Sequence, residues 1–332
     1  MKMGKFHLGL FLLSPCIFMN WRDGIGSGGI SAVDGFSFNF TPPPSSLWLA
    51  RLSRKKILAT IGGVGVSIPL LLETYARSGC VQSTKKPGWA FTDSEMENIG
   101  KDVVKDITVI FHGAGGEDAY TDDLLKTLCK SIDGSGTGIV KMINWEADSA
   151  DILQASVKGT TIGKELAKTL CSSMYASDNI NTSRVANIHA IGISVGAFAA
   201  DSFLDALSKE NKSTAKNKNT AVKKLYCQLT LLDPFQQKAV LGVGYGNKYF
   251  GIADRGVDYA QQYLNTDDPV PSTNAPLQHC ATIDVTALRP PEIFGHDWPL
   301  VYYTEELKRS INAGNGFVPT DKQSSRGSLK ML

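Results

Sequence analysis

ANIHAIGISVGAFAADSF, residues 186–203, decides how the chain is read. An apolar run reaches Gly192, then Ile193, Ser194, Val195 and Gly196 follow, and small residues continue in a helical pattern. Glycines on both sides of a serine, where a strand gives way to a helix, fit a sharp turn with no room for neighbouring Cβ atoms. Such a turn lifts the hydroxyl above the carboxyl end of the sheet. Beneath it lie the free N–H groups and positive dipole end of the helix. The stretch is therefore either a packing device or the seat of a nucleophile, Ser194. The Gly-x-Ser-x-Gly string is weak by itself; the strand before it and the helix after it give it weight.

Outward from this point the chain alternates. DITVIFHG, GIVKMINW, VANIHAIGIS, KLYCQLTLLD and DYAQQYLNT are apolar runs of strand length. AYTDDLLKTLCKSI, KGTTIGKELAKTLCSSM and GAFAADSFLDALSK between them read as helices. This order predicts an α/β fold, a mostly parallel central sheet with helices on both faces. Residues 209–224, KENKSTAKNKNTAVKK, read as a solvated Lys/Asn-rich insertion, and residues 314–332 as a flexible tail.

The first 87 residues differ from the rest. LGLFLLSPCIFM (8–19) follows Lys2 and Lys5, and ILATIGGVGVSIPLLL (57–72) follows RLSRKK. A basic flank before a short apolar run describes a targeting signal or a short membrane span. We therefore expect residues 1–87 to be a targeting or membrane-proximal region with a linker. The expected location is a membrane or the secretory pathway, with 57–72 as the means of attachment. Asn-x-Ser/Thr strings at Asn39, Asn181 and Asn211 are compatible with that route. With a net charge of +2 over 332 residues, nothing points to a nucleic-acid partner. Six scattered cysteines without a Cys-x-x-Cys pair give no zinc pattern.

A serine needs a base, a group to orient that base, and donors for an oxyanion. ITVIFHGAGG, residues 107–116, is a strand running into a glycine-rich loop, which makes the N–H of Ala114 a candidate donor together with that of Val195. Of five histidines, His7 lies in the leader, and His112 and His189 lie at or within strands, where packing would hold them. His279 enters a strand. His296, after a glycine and before an apolar helical segment, is the better placed base. Two aspartates compete as the acid. Asp233 ends LTLLDPF and Asp268 sits in NTDDPVPS, each before a proline. An Asp-Pro pair also serves as a plain turn starter.

These segments together resemble the pancreatic and lipoprotein lipase family, catalytic domain only, within the α/β-hydrolase fold. IHAIGISVGAFAA is similar to its strand, elbow and helix, IFHGA to its oxyanion loop, and LTLLDPF to its Leu-Asp-Pro acid segment. NWEADSADILQASVKGTTIGKELA is similar to the segment before the elbow, and Tyr302 and Tyr303 follow His296 as in the family's ending. The resemblance spans residues 88–313. It implies a serine ester hydrolase acting on lipid acyl esters, with Ser194 as nucleophile, Asp233 as acid, His296 as base, and Ala114 and Val195 at the oxyanion. The string around Asp268 also looks like the acid segment of fungal-type lipases. Ile193 departs from the family's histidine before the serine. The β-sandwich is missing, and 236–256 is the only stretch to suggest as a cover. Neither a metal nor an organic cofactor is needed. The rival readings are a non-catalytic lipid- or protein-binding member of the fold, and an acyltransferase using the same three residues.

Overall fold

The computed structural model describes residues 90–101, 103–133, 137–176, 185–219, 221–237, 244–270, 272–313 and 325–332. The N-terminal apolar stretches, Asn39 and Asn181 lie outside them, so their readings stay expectations. No helix among the described residues is long and apolar enough to cross a membrane.

Seven strands form the sheet: β1 (Asp106–Phe111), β2 (Gly138–Ile143), β3 (Asn187–Ile193), β4 (Tyr226–Leu232), β5 (Tyr259–Leu264), β6 (Ala281–Asp284) and β7 (Leu329–Met331). They pair in the order β2-β1-β3-β4-β5-β6-β7, all parallel. The side-chain period of two explains why apolar runs become these strands. Ile107, Val109 and Phe111 of β1 share a core with Ile188 and Ala190 of β3, Leu166 and Phe203. Ile110, Ile191 and Ile193 point to the other face, among Leu124, Leu128 and Leu307. Each such side chain other than Ala190 contributes about 1.5–3 kcal/mol on burial, and burial of both faces keeps the register from slipping.

Helices cover both faces, as expected. α1 (Asp93–Gly100), α4 (Ile152–Met174) and α5 (Ala197–Asn217) supply the first core. α2 (Ala119–Asp133) and α7 (Trp298–Asn312) supply the second. Two short helices, α3 (Glu146–Ser149) and α6 (Tyr245–Tyr249), lie in connections.

Three expectations need correction. The Lys/Asn-rich stretch 209–224 is not wholly a solvated insertion, because α5 runs on to Asn217 with Asn211 and Ala215 buried. Asn211 accepts from the Tyr175 hydroxyl at 2.5 Å and donates to the Lys223 carbonyl at 2.8 Å, which removes it as a glycosylation site. Lysines conceal such a helix, since only Asn211 and Ala215 are buried among its last nine residues. Residues 325–332 of the expected tail are ordered by β7 and by Arg326. That guanidinium donates to the carbonyls of Gly251, His279 (3.0 Å), Val257 (2.6 Å) and Asp258 (3.2 Å). A three-residue strand with exposed side chains carries no hydrophobic period to read. Finally, the described part of 236–256 is not a loose cover. Phe250 is in the core, and Arg255 ties the stretch to α5 through Asp201 (2.8 Å) and Asp205 (3.2 Å).

Candidate active site

Parallel pairing puts the carboxyl ends of all strands on one rim, where open α/β sheets place their chemistry. β3 ends at Ile193, and Ser194 begins a single 3-10 turn that leads into α5. Ser194 takes φ +53°, a left-handed backbone that costs a non-glycine residue about 1–2 kcal/mol. The flanking glycines are needed for space. A Cβ on Gly196 would lie 2.2 Å from the Phe111 carbonyl oxygen, and one on Gly192 would lie 2.7 Å from Ala197 Cα. The elbow is thus wedged against the ends of β1 and α5, and no other residue type fits at those two positions without displacing backbone.

The glycine-rich loop after β1 lies against the serine. A Cβ on Gly113 would sit 3.2 Å from Ser194 Cβ and 3.9 Å from its Oγ. His112 gives this loop its shape, a role beyond the packing expected from the sequence. Its Nε2 accepts from the Trp145 N–H at 3.0 Å, so its Nδ1 carries the proton and donates to the Gly113 carbonyl at 2.9 Å. Trp145 Nε1 donates back to the His112 carbonyl at 3.2 Å, and the two rings stack at 5.5 Å. In a trans peptide the C=O and the following N–H point in opposite directions. Holding the Gly113 carbonyl toward His112 therefore turns the Ala114 N–H away from it. Val195, the other expected donor, is buried at the middle of the elbow turn.

His296 lies in the turn before α7. Burial makes the imidazolium less favourable, but hydrogen bonds to Asp233 and Asp268 outweigh it and push the His296 pKa up to about 10. Nδ1 is 2.6 Å from Asp233 Oδ2 and 2.8 Å from Asp268 Oδ2. Nε2 is the nitrogen that remains for a reacting proton. Ser194 and His296, 6% and 7% exposed, line one small pocket with Gly113, Asp118, Ile193 and Leu300.

The two aspartates reach the imidazole from adjacent strand ends. Asp233 follows β4 at φ +46°, and Asp268 follows β5. Both are buried. Asp268 also accepts from the Val270 N–H at 3.0 Å, so its Asp-Pro segment is a turn and a ligand of the histidine at once. Asn265 joins the three loops, a role with no signal in the sequence. Its N–H donates to Asp233 Oδ1 at 3.4 Å, its carbonyl accepts from the Asp268 N–H at 3.2 Å, and its Nδ2 donates to the Gly295 carbonyl at 2.8 Å.

The other described histidines stay out of this group. His279 precedes β6 at the opposite, amino end of the sheet. His189 lies within β3, hydrogen-bonded to Thr230 at 2.8 Å, and burial pushes its pKa down to about 3. Among the described residues, the one cluster of candidate metal ligands is Asp233, Asp268 and His296 themselves. Both carboxylates there converge on a ring nitrogen already within hydrogen-bonding distance, an arrangement that suits a proton better than a metal ion.

A parallel sheet with a strained serine elbow after a central strand, followed in the chain by acid and then histidine on the same rim, defines the α/β-hydrolase fold. No family model matches the sequence, and no curated protein is similar to it. Among solved structures, the chain is similar to a hyperthermophilic esterase from the archaeon Pyrobaculum calidifontis. The identity is 11% and the TM-score 0.28, over 82% of this chain and 98% of that one. The fold assignment rests on strand order and register rather than on this likeness.

Proposed function

We propose that the protein is a serine ester hydrolase that cleaves lipid acyl esters through an acyl-enzyme. The observation that carries this reading is the strained elbow: Ser194 at φ +53° lines one pocket with His296, whose Nδ1 is held by buried carboxyls. Backbone strain of this kind persists where surrounding structure enforces it, and it is concentrated at functional sites.

In the proposed reaction Ser194 Oγ attacks the acyl carbonyl while its proton passes to His296 Nε2. The N–H groups of Ala114 and Val195 receive the developing oxyanion. Collapse of the tetrahedral intermediate expels the alcohol, which takes the proton from Nε2. Water then attacks the acyl-enzyme, giving its proton to the same nitrogen, and as the carboxylic acid leaves, Ser194 Oγ takes that proton back from Nε2. Ile193 and Leu300 put apolar surface beside the serine. Together with the likeness of the motifs to the pancreatic and lipoprotein lipase family, this favours acyl chains over small polar acids.

The test is turnover of a nitrophenyl ester series of increasing chain length by the full-length protein, in detergent. Saturable hydrolysis with kcat/KM rising with acyl length is expected. No turnover of any ester overturns the reading, and activity confined to acetate overturns its lipid part.

A further inference from the structure

A catalytic histidine needs one acid, and His296 has two. The carboxyls of Asp233 and Asp268 both lie on Nδ1, both are buried, and their facing oxygens lie within 4.8 Å of each other. Nδ1 carries a single proton to share between them. If both carboxyls were ionised around a neutral imidazole, two negative charges would face each other out of water. Like charges so placed do not both ionise. Besides burial and one another, the described groups that act on the three are neutral: the Thr273 hydroxyl and the N–H groups of Val270 and Asn265. Asp267 and Asp297, the adjoining residues in the chain, are also carboxyls.

The second charge can be removed in two ways. A proton on Nε2 makes the imidazolium and blocks the base that Ser194 requires. A proton on one of the carboxyls leaves Nε2 free. Resting on the serine-hydrolase reading above, we infer that Asp233 and Asp268 hold one proton between them behind His296, and that either can act as the ionised acid while the other is neutral.

The donors around each carboxyl decide where that proton rests. Asp268 accepts from the Thr273 hydroxyl and from the Val270 N–H at 3.0 Å. Apart from its contact with the imidazole, Asp233 accepts, among the described residues, a single long bond from the Asn265 N–H, at 3.4 Å. Burial accordingly raises the Asp233 carboxyl well above the usual range, while the Asp268 carboxyl, despite burial, is held down to about 2 by His296, Asp233 and Thr273. With Nε2 free, as Ser194 requires, the Asp233 O–H donates to the Asp268 carboxylate, and the group carries one negative charge. When Nε2 takes the proton of Ser194 the group becomes neutral, so the imidazolium forms without a second uncompensated carboxylate beside it.

The experiment compares Asp233→Asn, Asp268→Asn and the double variant in the full chain, on the best nitrophenyl ester, with thermal unfolding as a check on folding. Each single change is expected to lower kcat/KM by about tenfold and the double by about 10⁴-fold. The infrared spectrum of the wild type at neutral pH is expected to show a protonated carboxylic acid band that shifts in D₂O and is lost in both single variants. The pair is overturned if one single change alone costs as much as the double, or if the wild type has no such band. The corresponding alanine variants replace the asparagines should an amide disturb Nδ1. A wild type inert toward esters would sink the hydrolase reading, and the infrared band would still decide the pair.

Discussion

Replacing Ser194 by alanine is expected to lower kcat toward an acyl ester about 10⁶-fold, leaving only what the oxyanion donors and substrate positioning supply. The reaction loses the atom that forms the acyl-enzyme, and the Thr121 hydroxyl in the same pocket is engaged with the Asp118 backbone. The nearest machinery is backbone: Gly113 lies against the Ser194 side chain, and the Phe235 N–H donates to the Ser194 carbonyl at 3.0 Å. Both contacts survive in Ser194→Ala, which keeps the Cβ and the same strained turn. Stability should therefore change by less than about 1 kcal/mol, and KM should stay near its wild-type value. Kinetics and thermal unfolding on the same preparation check both. A variant that turns over ester at the wild-type rate would remove Ser194 from the mechanism.

His296→Ala is expected to cost about as much in kcat, and the double variant with Ser194→Ala no more than either alone, because the two residues act as a unit. In stability the two changes should part company. His296→Ala leaves Asp233 and Asp268 buried without the imidazole, and breaking a buried pair costs about 3–5 kcal/mol. The sign of its pH dependence follows from Asp233, whose folded pKa burial raises above the unfolded value and His296 pulls back down, so that removing the imidazole raises it further in the variant. A group of that kind contributes stability at low pH and loses it as pH rises through the folded pKa. The deficit of His296→Ala should accordingly shrink in acid and widen toward neutrality, whereas that of Ser194→Ala should stay flat. Chemical unfolding at several pH values checks this. Equal and pH-independent deficits would show that the imidazole does not compensate the carboxyls.

Much of this arrangement can be read from residue order. Strands buried on both faces must be nearly continuous apolar runs, so β1 to β5 stand out. An elbow squeezed between Phe111 and Ala197 admits only glycine at 192 and 196, so the turn declares itself. What escapes the sequence is pairing across distance. Asp233 and Asp268 look like competitors along the chain, but β4 and β5 are neighbours in the sheet, which brings both strand ends to one imidazole. The service of His112 depends on Trp145, 33 residues away. Asn265 works through its backbone on Asp233 and Asp268 and through its side-chain amide on Gly295, 30 residues away. β7 is fixed by Arg326 reaching carbonyls in remote loops, and the end of α5 hides beneath lysines.

The most direct test of the central claim is the mass of the protein, and of its peptides, after exposure to a fluorophosphonate. Such a reagent needs a serine whose proton is being drawn off by a base. One phosphonyl group on Ser194 in the wild type, and none after Ser194→Ala or His296→Ala, is the predicted result. An unlabelled wild type, or a label carried by a different residue, would contradict it.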